Sequence, residues 1–162
     1  MKKVFIFTAG VVLGMFVLGI SAVVLMPKAM IVSHESRYGF DETVRQIEQN
    51  IKKAGWSHKG TSLISEEINT KMAQGLNARI AAVKLCKASY ATDILREERS
   101  RFASCLMPCT ISVWESDAGK VYVSKMNTSL MGKLFGGKIA EIMAGKVGPE
   151  EQSMLKDIIK QN

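Results

Sequence analysis

Hydrophobic residues recur along this chain at two different spacings, and the change from one to the other marks out its elements. Val44, Ile47, Ile51 and Ala54 stand at helical spacing behind Asp41, a good N-cap, with Lys52 and Lys53 in the last turn and Gly55 after it, which predicts a helix over Asp41–Ala54. Ile111, Val113, Val121 and Val123 instead repeat every second residue, with Trp114 and Tyr122 on alternate positions. Ser116-Asp117-Ala118-Gly119 supplies turn chemistry between the two runs, so Thr110–Glu115 and Lys120–Lys125 read as an antiparallel hairpin. Arg79–Cys86 is almost continuously apolar, as expected of a strand inside a sheet.

The remaining segments fill in around these. Ala29–Glu35 and Trp56–Leu63 look extended, and Ser65 before Glu66 and Glu67 starts a shorter helix ended by Gly75. Ser89–Arg101 places Tyr90, Ile94 and Leu95 on one helical face and Arg96, Glu97, Glu98 and Arg99 on the other. Thr128 opens a last helical region that Gly136-Gly137 interrupts, and Gly148-Pro149-Glu150-Glu151 starts a terminal helix with proline in its first turn. Strands and helices in this order predict the α+β class, an antiparallel sheet covered by helices.

The front of the chain changes that picture. Val4–Leu25 carries no charge and as a helix would span roughly 33 Å, enough for the roughly 30 Å hydrocarbon core of a bilayer. Lys2 and Lys3 precede it, so the expectation is one N-terminal transmembrane helix with its N-terminus inside. That makes residues 1–28 a membrane anchor and the protein a single-pass component of a bacterial cytoplasmic membrane with an extracytoplasmic, periplasmic domain. The alternative is a signal peptide cleaved near Gly19-Ile20-Ser21, giving a secreted or periplasmic product. With 22 Lys+Arg against 15 Asp+Glu the excess of positive charge is mild, and it is scattered among acids instead of clustering with aromatics, which argues against a nucleic-acid partner.

Candidate chemistry centres on the cysteines. Cys86 ends a predicted strand and precedes a helix, whose N-terminus would lower a thiol pKa, and Cys109 enters a strand that is a candidate neighbour. Within one extended segment Cys105 and Cys109 lie roughly 13 Å apart, whereas a disulfide needs about 4.4–6.8 Å, so Cys86 with Cys109 is the favoured pair. Such a pair, with Met107 as a further soft ligand, would bind a soft metal, carry sulfur or cycle as a disulfide; the commoner reading of isolated cysteines is a structural disulfide or packed apolar side chains. Ten methionines, among them Met126, Met131 and Met143, raise copper, but most such residues are core, and His34 and His58 lack paired zinc spacing. Gly132-Lys133-Leu134-Phe135-Gly136-Gly137-Lys138 nearly spells a phosphate loop, yet Ile139 replaces the hydroxyl residue that would hold Mg²⁺, so no nucleotide site is expected. Glu115, Asp117 and Glu141 form no acid/base arrangement by spacing.

Glu35-Ser36-Arg37-Tyr38-Gly39-Phe40-Asp41-Glu42-Thr43-Val44, together with the segment from Pro108 to Asn127, resembles the bacterial domain-of-unknown-function family 302, and more particularly a membrane-anchored, cysteine-containing branch of it. The resemblance implies a small α+β domain over residues 29–135, often a homodimer, with no established activity, and leaves 136–162 as a C-terminal helical extension. The functional expectation is a membrane-anchored binding or interaction domain, held to the membrane through residues 4–25 and using a Cys86/Cys109 thiol site. A thiol-dependent redox or sulfur-transfer enzyme and a structural dimerisation module are the alternatives. No ligand, substrate or cofactor is indicated.

Overall fold

The computed structural model describes residues 10, 14–17, 19, 20, 26 and 28–160. Its centre is a five-stranded antiparallel sheet of order β1-β5-β4-β3-β2, formed by β1 (Ile31–Glu35), β2 (Ser57–Leu63), β3 (Ile80–Cys86), β4 (Cys109–Glu115) and β5 (Val121–Met126). The hairpin pairs in the register its alternation requires, with Val113 opposite Val123 and Trp114 opposite Tyr122. Ser116 accepts the backbone N–H of Gly119 within the turn, where Gly119 adopts a φ of 74°.

Because side chains alternate across a strand and paired residues share a face, one side of the sheet collects Ala81, Val83, Leu85, Ile111, Val113, Val121 and Val123, all buried. Helix α1 (Phe40–Lys53) lays Ile47 and Ile51 into the same core. Its N-cap is Gly39, two residues before the expected Asp41; Asp41 sits in the first turn and accepts from both terminal guanidinium nitrogens of Arg79. The opposite face carries Ser33, Ser62, Ser112 and Ser124 in one row across the strands, beside Trp114 and Tyr122, whose rings stack at 4.6 Å.

Short helices α2 (Ile64–Lys71) and α3 (Ala88–Leu95) follow β2 and β3, and the helical pattern expected to run to Arg101 tightens into 3₁₀ geometry over Glu98–Leu106. After β5, α4 (Thr128–Phe135) begins with Asn127 accepting the backbone N–H of Leu130. Gly136 and Gly137, at φ of 70° and 52°, then turn the chain into a one-turn α5 (Gly137–Ile139), a π-helical stretch Ala140–Val147 and α6 (Gly148–Leu155). The near phosphate loop is therefore helix and helix junction. Ile139, Ile142, Met143, Val147, Met154, Leu155 and Ile158 from these last elements belong to the same core as the sheet.

The segment after α6 returns to the end of β1. Arg37 N–H donates to Ile158 O at 2.8 Å, Lys160 N–H to Glu35 O at 2.8 Å, and the buried hydroxyls of Ser36 and Thr43 bond each other at 2.7 Å beneath this join.

The α+β architecture with a helix-covered antiparallel sheet is thus present, but the expected N-terminal transmembrane helix is corrected. Among the described residues no helix is long and apolar enough to cross a membrane. Most of Val4–Leu25 lies outside the described residues, and within the run only short pieces such as Gly14–Val17 are described, as helix. The expected anchor, single-pass topology, periplasmic placement and membrane partner therefore find no support among the described residues.

Candidate functional site

The three side chains singled out in the sequence do meet. Cys86, Met107 and Cys109 line one cavity of about 20 Å³, together with Trp56, Tyr90 and Met143. The register explains it, since Cys109 pairs with Leu85 and so starts β4 beside the residue at which β3 ends. The chemistry expected of them does not follow. All three cysteines are unbridged, and the space holds about one water. Burial pushes the Cys109 thiol up to about 12, with the Glu151 carboxylate adding in the same direction, which is the reverse of an activated thiolate. Among the described residues no three His, Cys, Asp or Glu side chains are grouped to hold a metal ion. The Cys86/Cys109 disulfide and the thiol-dependent function are corrected on these grounds, and Cys86, Met107 and Cys109 stand as neighbours in a wall of the core.

Two adjacent acids on α6 organise the polar groups around that wall. Glu150 accepts Trp56 Nε1 at 2.6 Å, Lys87 Nζ at 2.9 Å and the Tyr90 hydroxyl. Burial alone would raise its pKa, but the hydrogen bonds from Tyr90, Lys87 and Trp56, joined by the Lys87 charge, prevail and hold it below the ordinary glutamate value of 4.5. A depressed carboxylate stabilises the fold at any pH above its unfolded pKa, and that contribution is lost as pH falls through the folded value. Tyr90→Phe is therefore expected to leave neutral-pH structure intact while weakening the fall of stability below pH 4.5; urea midpoints measured across the acid range check it.

Glu151, the next residue, faces the other way and is 3% exposed. Its Oε2 accepts Lys125 Nζ at 2.8 Å and the Thr128 hydroxyl. Lys125 belongs to the inward-facing row of β5 after Val121 and Val123, so its ammonium points under the sheet's end, and Nζ also reaches Met126 O at 3.4 Å and Thr128 Oγ1 at 3.5 Å.

This ion pair forms part of the wall of a cleft of about 690 Å³ where β4 begins and β5 ends. Among the described residues the rest of the lining is uncharged: Met30, Leu106, Met126, Met131 and Met143 supply flexible apolar surface, Cys105 and Cys109 their thiols, and Ser112 and Ser124 hydroxyls on the open face of the sheet. A second opening of about 850 Å³ lies across Lys125, between β1 and α6, and mixes His34, Asn127, Gln152, Lys156 and Lys160 with Val32, Leu155 and Ile159. The first is the better candidate, because it combines mostly apolar walls with a buried polar group.

Residues 32–161 match the family described as Domain of unknown function DUF302. The chain belongs to the DUF302 family. No curated protein sequence matches it. A crystal structure described as an uncharacterized conserved protein DUF302 from Bacillus stearothermophilus superimposes with a TM-score of 0.68 at 13% identity, covering 79% of this chain and 97% of that one. At that identity the likeness is one of fold. Nothing in the DUF302 match supports a membrane-anchored branch, and the homodimer expected with it likewise finds no support.

The sequence reading of this DUF302 domain missed Lys125, Thr128 and Glu151. A signal was present for the first: the alternation that puts Val121 and Val123 inward also puts Lys125 inward, and an inward lysine needs a carboxylate. Which acid answers it was not legible, since Glu150 and Glu151 are equally good first-turn residues and only the rotation of α6 decides between them.

Proposed function

We propose that this domain binds an apolar small molecule in the cleft between the start of β4, the end of β5 and helix α4. The observation carrying this reading is a Lys125–Glu151 ion pair, its carboxylate buried and its ammonium half-buried, set in a methionine-rich wall that among the described residues is otherwise uncharged. A core that needed only to be packed would gain little from such a couple, because desolvating two charges offsets most of their attraction. A binding cleft gains a fixed polar point that orients an apolar ligand. Methionine suits the remainder, since an unbranched side chain with a polarizable sulfur adapts to more than one ligand shape.

The neutral dye N-phenyl-1-naphthylamine tests the reading. It is expected to bind with enhanced fluorescence, and Met126→Glu, at an exposed rim position, is expected to weaken binding by about tenfold or more by setting a charge against apolar surface. Dye affinity unchanged in that variant would place the binding elsewhere and remove the proposal.

A further inference from the structure

We infer that the ligand's polar end is an uncharged hydrogen-bond donor, an alcohol or a phenol, and that the cleft discriminates against carboxylates. The inference rests on the cleft being the binding site and adds the chemistry of what enters it.

The argument is a count of donors and acceptors at the buried pair. Lys125 Nζ has three N–H groups and three acceptors around it, Glu151 Oε2, Met126 O and Thr128 Oγ1. The Thr128 hydroxyl proton is likewise engaged, directed at Glu151 Oε2 with Met126 O also in reach. Glu151 Oε1 is different: among the described residues it receives no donor. It is not sealed in either, because among the described residues no buried side-chain oxygen or nitrogen lacks a partner, so Oε1 has open space beside it, and Glu151 lines the cleft. A carboxylate oxygen accepts and never donates. The vacant bonding position at this wall is therefore an acceptor, and the group that completes it must bring a proton.

Charge points the same way. Among the described residues Lys125 and Glu151 are the only charged ones lining the cleft, and they cancel. A ligand carboxylate would lose its hydration beside Glu151 with no unpaired cation to replace it, whereas a hydroxyl loses one water contact and regains one charge-assisted hydrogen bond. The hydroxyls of Ser112 and Thr110 lie at the outer mouth on the open sheet face, where water competes for them.

Displacement of N-phenyl-1-naphthylamine from the full chain at neutral pH, by 1-octanol, octyl methyl ether and octanoate, tests this. 1-Octanol is expected to displace the dye at a concentration about tenfold lower than either of the others. Glu151→Gln frees Lys125 from its counter-charge and is expected to shift the order toward octanoate by about tenfold. The wild-type series decides the matter even where that variant folds poorly. Octanoate or the ether equalling octanol on the wild-type chain overturns the donor preference while leaving the cleft as a binding site. Failure of all three to displace a dye that Met126→Glu does weaken overturns the inference as well, and failure of the dye itself removes the site on which it rests.

Discussion

Glu151→Ala is expected to lower the stability of this domain by about 3–5 kcal/mol, because it leaves the Lys125 ammonium under the sheet without its counter-charge. Thr128 also loses the acceptor for its hydroxyl. Urea unfolding gives the magnitude, with Glu141→Ala as a comparison, since Glu141 pairs with Lys138 at the surface and its removal should matter little. The double substitution Lys125→Met with Glu151→Leu is expected to recover most of the loss, as apolar groups of similar volume commonly replace a buried ion pair without penalty. A Glu151→Ala loss under about 1 kcal/mol would mean that Lys125 escapes to water, and the buried couple would lose its meaning for the cleft.

Gly132→Ala is expected to destabilise by about 1–2 kcal/mol although alanine is the better helix former. A Cβ at Gly132 would lie 2.8 Å from Ala144 N and 2.8 Å from Met143 Cβ, neither of which can swing aside. Helix α4 and the π-helical stretch cross here at backbone distance, and overpacking of about 1–3 kcal/mol outweighs the propensity gain of about 1 kcal/mol. Gly145, which has open space around its would-be Cβ, should respond with the opposite sign when replaced by alanine. Thermal or urea denaturation of the two variants side by side checks the pair; two changes of the same sign would reject the close crossing.

These cases show what the sequence disclosed. Strands β3, β4 and β5 were legible because a helix-covered sheet leaves period-two alternation and near-continuous apolar runs in the chain. Helix α1 was legible for the matching reason at helical spacing. The glycine run at Gly132–Gly137 looked like a phosphate loop that failed, and the reason Gly132 is needed lies in Met143 and Ala144, contacts that no local pattern announces. The same limit hid the cleft. Lys125, Thr128 and Glu151 are ordinary residues at their own positions, and become a site only when α6 is rotated against the end of β5. The cysteines drew attention by being rare, and the structure does gather Cys86 and Cys109, but burial makes the Cys109 thiol harder to ionise instead of easier. Apolar length at the front of the chain suggested a bilayer span, yet a spanning element requires an unbroken long helix, which the described residues do not contain.

The place of β1 in the sheet sets an order of events during synthesis. Among the described residues β1 pairs only with β5, from Ile31 opposite Met126 to Glu35 opposite Tyr122, and Ser36 bridges to Ile159. β1 must therefore wait until β2, β3 and β4 have been made before its partner β5 exists, while β3, β4 and β5 can assemble among near neighbours in sequence. A nascent chain halted before Val121 would hold an orphan strand with its backbone edge unpaired and Val32 uncovered, a natural handhold for a chaperone, and the Ile159 bridge to Ser36 would act as a latch on the domain.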